Sequence, residues 1–375
     1  MPAAACLTLT VAFVRVVVGV LGIGVVVGTF RDLVSTVITT QRDRRWSAAR
    51  RYFKVTWAWY SSAARRIDDP KQRERFLVPY GPVSLVGLLS VWVALLVFGW
   101  GLIWWGLQQH MEGIDDLPSA VYFSGVTFLT IGYGDIVAEG GGSRILAVIE
   151  GLMGILTTAL VIGLLPTLFA AYMRRESKLL TLDDLQTQVT PLGYLRRYTD
   201  GGDLAPLYAE FRSWDDWCAD VYDSHTAYPM LLWFRSRQMG RSWSVGLGIV
   251  VESASYVLAA VDQPNHHEAQ SLYRRAIMVL DAVRGHEHVT LPEPPVVSPE
   301  AVERQFRAVY DTLVGYGLPV RPFEDALARE HALRADYVPV LWGLSEALLA
   351  PLEFRPNVRP IPVEFGPSPA PGGGS

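Results

Sequence analysis

The sequence predicts an all-α membrane protein that carries a mainly helical domain outside the membrane. Three apolar runs, 7–30, 82–107 and 145–173, are each long enough for the roughly 20 residues that cross a bilayer as a helix. Hydrophobic residues make up 50% of the chain, a high share for a soluble protein. From residue 179 onward the composition is mixed and polar, so the third run leads into an aqueous domain.

The first run predicts an N-terminal transmembrane helix within residues 1–30. Arg15 is the only charged residue of that run. A cleaved signal peptide is the alternative, but such a peptide has a charged start and a shorter apolar core, and this segment has neither. We therefore expect the helix to be retained.

The charges of two connecting segments predict the orientation. Residues 31–80 are rich in Lys and Arg, whereas residues 108–144 contain only Arg144 as a cation, together with Glu112, Asp115, Asp116, Asp135 and Glu139. Lys and Arg concentrate on the cytoplasmic side of membrane proteins. The interpretation is a multi-pass plasma-membrane protein with its N-terminus outside and residues 179–365 in the cytoplasm.

The basic connector 31–80 contains a candidate interfacial helix, RRYFKVTWAWYSSAARR, at residues 50–66. We expect Phe53, Trp57 and Tyr60 to face lipid, and the cations of the 42–75 basic loop to contact anionic headgroups. A plain solvated connector is the alternative. Aromatic residues also end the second apolar run, where we expect them at the lipid–water boundary: Trp100, Trp104 and Trp105.

A motif between the second and third runs predicts an ion path. Residues 127–135 read Thr-Phe-Leu-Thr-Ile-Gly-Tyr-Gly-Asp. Gly132 and Gly134 permit backbone conformations that a Cβ obstructs, so successive carbonyl groups can replace the hydration shell of a cation. We expect the carbonyls of residues 130–133 to line this path, with the Thr130 hydroxyl as the innermost ligand. The side chains of Ile131 and Tyr133 are expected to point away and pack behind it.

This motif resembles the TxxTxGYGD signature of prokaryotic potassium channels with one pore loop per subunit. Pro118, Tyr122 and Phe123 resemble the pore helix of the same family, and the resemblance covers residues 82–175. It implies a pore domain over 81–178, with outer helix 82–107, pore helix 118–129, filter 130–135 and inner helix 145–173. It also implies a homotetramer with three identical partner subunits, because each chain supplies one filter strand.

The resemblance assigns roles to the residues of the motif. It implies K⁺ ions, and no other cofactor, held by Thr130, Ile131, Gly132, Tyr133 and Gly134. It implies filter support from Asp135, Thr127, Tyr122 and Phe123. Two positions depart from the family: Leu129 replaces a threonine of many members, and Val126 stands where some have a glutamate partner for the filter aspartate. We therefore expect Asp135 to bond to Tyr122 or to backbone donors.

The third run carries a predicted gating hinge. Gly154 lies where the resembling channels have a hinge glycine, and Gly163 and Pro166 follow. Pro166 cannot donate to the carbonyl of Ile162, so the helix can bend there. Packing of small residues between helices is the alternative.

Two ionisable residues interrupt the apolar runs. Glu150 is expected to face protein or water behind the filter, with Arg144 or a filter-side hydroxyl as its partner. A protonated, purely structural Glu150 is the open alternative. Arg15 is a single arginine, so voltage sensing by an arginine repeat is not expected.

The C-terminal region predicts a mainly helical domain over 179–365, followed by a flexible tail or linker at 366–375. Helical patterns occupy 203–224, 226–239, 243–261, 266–284, 299–314 and 323–350, with a proline-rich link at 291–299. The glycines of 244–252 lack the preceding strand and third glycine of a dinucleotide-binding loop. The run 245–261 is nearly apolar enough for a fourth span, but Glu252 and the serines favour a buried soluble helix.

Other residue types exclude several classes of function. His266, His267, His286 and His288 lack a cage of Cys or acidic residues, which favours surface histidines over a metal site. Cys6 and Cys218 cannot form a disulfide framework. The net charge of -4 gives no basic field for nucleic acid. The regulator of the C-terminal domain is unknown from sequence.

The predicted function is passive, potassium-selective conduction, gated at the inner helices and modulated by the cytoplasmic domain. No nucleophile–base pair, phosphate loop or metal spacing indicates an enzyme. One alternative is a pore-containing sensor or scaffold whose C-terminal domain gives a signalling output. A potassium-transporter subunit is another, but such chains usually carry several degraded pore repeats, and this chain has one intact copy.

Overall fold

The computed structural model describes residues 2–37, 47–182, 190–199, 201–236, 242–285 and 299–350, and most of them are helical. Within these residues, four helical stretches are long and apolar enough to cross a membrane: Phe13–Val37, Pro70–Gly106, Gly141–Leu182 and Trp243–Ala260. The predicted class of all-α membrane protein is confirmed. The chain divides into two compact units, Met1–Ser177 with Asp220–Met239, and Lys178–Ala219 with Gly240–Ser375.

The first unit contains the three predicted spans and the segments between them. Its elements are α1 (Pro2–Val37), α2 (Ala48–Ala64), α3 (Pro70–Leu77), α4 (Tyr80–Gly106), α5 (Leu117–Phe128) and α6 (Gly141–Leu179). A short antiparallel pair, β1 (Met111–Glu112) and β2 (Val137–Ala138), flanks α5 and the motif. Both α1 and α6 extend beyond their apolar runs, so the first seven residues of the predicted connector 31–80 belong to α1.

Close glycine contacts attach α1 to α4. A Cβ added at Gly22 would lie 2.6 Å from the carbonyl oxygen of Gly99, and one at Gly106 would lie 2.9 Å from that of Arg15. Small residues let helix backbones approach closely where no hydrophobic effect drives association.

The Arg15 guanidinium faces Gln108, whose amide oxygen accepts from Nε and Nη2 at 2.6 and 2.5 Å in the orientation that satisfies both groups.

A buried carboxylate joins three helices of the first unit. Asp32 on α1 accepts from the backbone N–H groups of Ala48 and Ala49 at 3.0 and 3.2 Å, and from Trp92 Nε1 on α4 at 3.0 Å. The first N–H groups of a helix have no intrahelical acceptor, so Asp32 satisfies the start of α2 from another element. Sequence analysis did not identify this residue.

The predicted lipid-facing side of α2 is wrong. Phe53 is buried, the Trp57 ring lies 4.8 Å from that of Tyr80, and Tyr60 stacks on Phe76 at 4.4 Å. The rings pack against α3 and the start of α4. Protein shields an apolar aromatic ring from water as effectively as lipid does. Exposed cations remain on and just after α2 at Arg51, Lys54, Arg65 and Arg66, whereas residues 42, 44 and 45 lie outside the described part of the chain.

Two of the three α4 tryptophans are buried by protein instead of facing lipid, whereas their depth at the lipid–water boundary stays a prediction. Trp104 is 0% exposed and Trp100 is 4% exposed, while Trp105 is half-buried. Trp104 makes an edge-to-face contact with Phe123 at 5.1 Å. A buried indole needs an acceptor for its N–H, and Trp104 Nε1 donates to Glu150 Oε2 at 2.6 Å.

The second unit is a helical bundle. Its helices are α7 (Pro191–Tyr198), most of α8 (Ala205–Ala227), α9 (Trp243–Ala260), α10 (His267–Arg284), α11 (Pro299–Gly315) and α12 (Phe323–Ala347). Five of the six predicted helical patterns correspond to these helices, and α7 was not predicted. The pattern at 226–239 is wrong: a 3₁₀ turn, Pro229–Trp233, stands there, since a proline supplies no N–H to continue a helix from α8. Residues 291–298 of the proline-rich link, and the tail, lie outside the described residues.

Burial distinguishes the two interpretations of α9, a fourth membrane span or a buried helix of the second unit. Its apolar window is 89% buried, against 17% for the windows of α1 and α6. Its polar side chains have partners: Arg334 Nη1 donates to Glu252 Oε1 at 2.7 Å, and Ser255 Oγ lies 3.2 Å from the Tyr337 hydroxyl. The helix is therefore a core element of the second unit, as predicted.

The buried carboxyl of Glu330 predicts a pH-dependent stability of the second unit. Burial raises the pKa of Glu330 from 4.5 to about 8, with Glu252 adding to the rise and Arg334 and Ser255 opposing it. The folded protein therefore holds a proton that the unfolded chain releases between these values. The free energy of unfolding of the second unit is therefore highest, with respect to this group, below pH 4.5. It falls by on the order of several kcal/mol as the pH rises from 4.5 through about 8.

We expect thermal unfolding of the second unit to move to lower temperature between pH 5.5 and 8. Glu330→Gln is neutral at every pH and should remove this part of the slope. An equal slope in the wild type and in Glu330→Gln would show that Glu330 is not the group responsible.

Candidate ion pathway

Helix α5, the predicted pore helix, begins at a reciprocal cap. The Asp116 side chain accepts from the backbone N–H of Ser119 at 2.8 Å, and Ser119 Oγ accepts from the backbone N–H of Asp116 at 3.4 Å. Pro118 lies in the first turn, as predicted, where its missing N–H costs nothing. The sequence Asp-Leu-Pro-Ser therefore fixes the residue at which α5 starts. The length of α5 then fixes where the motif begins.

The motif backbone alternates in handedness. Thr130, Gly132 and Gly134 have φ values of +58°, +64° and +79°, whereas Ile131 and Tyr133 are not in the positive-φ region. Alternation of left- and right-handed residues turns successive peptide groups to one side. The conformation predicted from the two glycines is present, and Thr130 adopts it as well, although a β-branched residue rarely does.

The backbone N–H groups of the motif bind back to α5 and leave its carbonyls free. Residues 130–132 donate to the carbonyls of Thr127 and Val126 over 2.8 to 3.4 Å. No described residue donates a hydrogen bond to the carbonyls of residues 130–134. Backbone acceptors are normally paired, so five successive carbonyls are available to a cation.

The side chains beside these carbonyls are exposed within the single chain. Leu129 is 54% exposed, Ile131 49% and Tyr133 70%. We expected Ile131 and Tyr133 to pack behind the path, but their own chain supplies no such packing. A group of exposed apolar side chains of this size indicates a surface that meets another molecule.

The supporting residues lie around the motif. The Tyr122 hydroxyl donates to Asp135 Oδ2 at 2.9 Å, which is the bond expected from the absence of a glutamate at Val126. Phe123 and Val126 are buried, and Thr127 is half-buried. Their roles in ion binding stay predictions.

Glu150 lies on α6 behind α5. Its two carboxyl oxygens contact Ser124 Oγ at 2.5 Å and Trp104 Nε1 at 2.6 Å. The expected partner is thus a hydroxyl of the pore helix. Arg144, the other candidate, donates instead to the carbonyl of Ala138 at 3.3 Å.

Helix α6, the predicted inner helix, buries one stripe of residues and exposes the rest. Buried residues recur at spacings of three, four and seven, while large apolar side chains remain exposed along the same helix: Ile145, Val148, Leu152, Ile155, Ile162 and Phe169. At Gly154 an added Cβ would collide with the carbonyl oxygen of Phe128, whereas at Gly163 it would meet nothing within 4 Å. Gly154 therefore fits the packing alternative, and a hinge at Gly163 and Pro166 stays a prediction.

Comparison with known proteins places a family domain on this geometry. Residues 90–171 match a family model described as "Ion channel". This part of the chain is therefore similar to an ion channel. The match begins within α4 and ends within α6, so it includes the pore helix and the motif.

Two curated proteins resemble longer or shorter parts of the chain. The uncharacterized membrane protein YdjJ of Bacillus subtilis (strain 168) is 24% identical over 256 residues, which cover 64% of this chain and 73% of that protein. The delayed-rectifier potassium channel regulatory subunit KCNS1 of Mus musculus is 31% identical over 94 residues, 25% of this chain and 19% of that protein. No solved structure matches the chain significantly.

A close contact between α6 and the end of α5 gives a matched test on one helix. Gly154→Ala must displace the Phe128 carbonyl at the end of α5, whereas Gly163→Ala meets open space. Overpacking of a rigid contact costs roughly 1–3 kcal/mol. We expect Gly154→Ala to lower the thermal unfolding temperature and Gly163→Ala to leave it nearly unchanged. Equal, small shifts for both would contradict the close contact.

The end of α6 far from the motif is anchored by a buried arginine. Arg175 donates to the carbonyls of Leu231 and Phe234 at 3.0 and 2.5 Å and pairs with Glu176 at 3.0 Å. Tyr172 donates to the carbonyl of Arg235 at 3.1 Å. Sequence analysis assigned Arg175 only to the positive charge that ends the span.

The anchor continues to α3. Arg235 donates through Nε and Nη2 to the two carboxylate oxygens of Glu74 at 2.9 and 2.5 Å. Such a two-bond pair fixes geometry as well as charge. The last turns of α6, the segment 231–235 and α3 therefore form one connected cluster.

The histidines of the C-terminal region do not form a metal site among the described residues. His266 Nδ1 lies 2.7 Å from the Tyr208 hydroxyl, and His266 Nε2 lies 3.2 Å from the carbonyl of Val261. His286 and His288 lie outside the described part of the chain.

Proposed function

We propose that this chain is one subunit of a homotetrameric channel that conducts K⁺ passively and selectively across the plasma membrane. The observation that carries the proposal is the run of five successive carbonyls at residues 130–134, free of hydrogen bonds from any described residue. Several such oxygens replace the hydration water of a bare cation, which is otherwise very costly to bring into a membrane.

The exposed surface of the single chain supports assembly into a tetramer. Four chains around one axis would close rings of carbonyl oxygens and cover the side chains of Ile131 and Tyr133 at the same time. The exposed apolar residues of α6 would then face the pore and neighbouring inner helices. The match to an ion channel family and the likeness to a protein named as a potassium channel regulatory subunit support the same assignment.

The distribution of charge supports the topology. With the basic connector in the cytoplasm, the motif opens toward the outside and the second unit is cytoplasmic. Gating then acts at the inner helices, and the cluster around Arg175 connects their cytoplasmic ends to neighbouring segments of the first unit.

Ion flux into liposomes tests the proposal. Purified protein should pass K⁺ at least tenfold faster than Na⁺, and Ba²⁺ should block the flux. Native mass spectrometry of the same sample should give the mass of four chains. A monomeric protein, or equal rates for Na⁺ and K⁺, would overturn the proposal.

A further inference from the structure

Glu150 lies within residues 90–171, the region similar to an ion channel, and it is 0% exposed. It lies on the inner helix α6, and it reaches the pore helix α5 through Ser124 and the outer helix α4 through Trp104. A carboxyl group buried so completely is costly unless its hydrogen bonds are satisfied. Among the described residues its hydrogen-bond partners are neutral.

A count of hydrogens defines the state of this group. Ser124 Oγ lies 2.5 Å from Glu150 Oε1 and 2.8 Å from the carbonyl oxygen of Val97 on α4. A carbonyl only accepts, and one hydroxyl has a single hydrogen to donate. All contacts are satisfied if Glu150 carries a proton and donates to Ser124 Oγ, Ser124 donates to Val97, and Trp104 Nε1 donates to the other carboxyl oxygen.

These bonds connect to the motif. Ser124 lies one turn before Phe128, the last residue of α5. The next carbonyls of that helix, from Val126 and Thr127, accept the N–H groups of residues 130–132. A shift of α5 therefore moves the carbonyls that face the ion. Val126, the position at which some resembling channels carry a glutamate, is apolar and buried here.

We propose that Glu150, as a neutral acid, is a positioning residue for ion selectivity, holding the pore helix to the inner and outer helices through Ser124 and Trp104. The proposal rests on the proposed function, because it concerns the same ion path. The bracing acid of this pore thus stands on the inner helix and contacts the pore helix from behind.

Substitutions with glutamine and methionine test the role. A glutamine amide can donate to Ser124 and accept from Trp104, as the neutral acid does, whereas methionine has similar length and makes neither bond. In liposomes, Glu150→Gln should keep the wild-type ratio of K⁺ to Na⁺ permeability within about twofold. Glu150→Met should lower the ratio at least tenfold. Native mass spectrometry checks that both variants still assemble.

The outcomes separate this inference from the proposed function. A wild type without selectivity would remove the proposed function itself. Two results with a selective wild type would remove only the role of the neutral acid. One is a Glu150→Met that keeps the wild-type ratio of K⁺ to Na⁺ permeability. The other is a Glu150→Gln whose ratio is as low as that of Glu150→Met. If Glu150→Met fails to assemble, Ser124→Ala removes the bonds of Ser124 to Glu150 and Val97, and Trp104→Phe removes the bond from the indole N–H to Glu150. Each should lower the ratio, and unchanged ratios in both would overturn the inference.

Discussion

Replacing Gly132 with alanine is expected to abolish potassium-selective flux. Gly132 has a φ of +64°, in the region where a Cβ costs roughly 1–2 kcal/mol. In the proposed homotetramer the substitution would occur four times around one axis, so all four chains would pay this cost at the same level of the pore. The backbone relaxes by rotating peptide groups, and the carbonyls no longer face the ion. Flux of K⁺ into liposomes should fall below a tenth of the wild-type rate.

Gly28→Ala is the matched control for this substitution. Gly28 lies within α1, does not have a positive φ, and an added Cβ there meets no atom within 4 Å. We expect wild-type flux and selectivity from it. If Gly132→Ala conducts K⁺ as selectively as Gly28→Ala does, the assignment of the carbonyl path is wrong.

Replacing Arg175 is expected to destabilise the protein strongly. The guanidinium is 1% exposed, and its removal leaves the carbonyls of Leu231 and Phe234 buried without their donor. Each unsatisfied buried acceptor costs about 1–3 kcal/mol. Arg175→Met should therefore lower the unfolding temperature by roughly 5–10 °C. In the proposed channel it should also change the open probability, because the end of α6 loses its attachment.

The adjacent arginine provides the comparison. Arg174 is 58% exposed and pairs with Asp220 at 3.1 Å, so its ion pair is screened by water and contributes little. Arg174→Met should leave the unfolding temperature within about 2 °C of the wild type. Similar effects of the two substitutions would mean that the cluster around Arg175 does not anchor α6.

The transmembrane helices and the motif could be predicted from sequence because both are local properties. A run of apolar residues has the length of a bilayer wherever its partners lie, and Gly132 and Gly134 allow a positive φ whatever surrounds them. The bond between Tyr122 and Asp135 was also accessible, since 13 residues separate them within one pore loop.

The connections that hold these elements together could not be predicted in the same way. Asp32 and Trp92 are 60 positions apart, Trp104 and Glu150 are 46 apart, and Arg175 and Leu231 are 56 apart. No pattern of composition indicates such pairs. The aromatic face of α2 was misassigned for a related reason: an amphipathic helix has the same sequence pattern whether protein or lipid covers its apolar side.

The three hydrogen bonds of Asp32 mean that α1 cannot be separated from α2 and α4 without a cost in stability. A truncated version without α1 would deprive both the first turn of α2 and the indole of Trp92 of their shared acceptor. The segment from α4 to α6 cannot therefore simply be excised or transplanted from this chain. Helix α1 is an integral part of the scaffold around α4, rather than a detachable accessory.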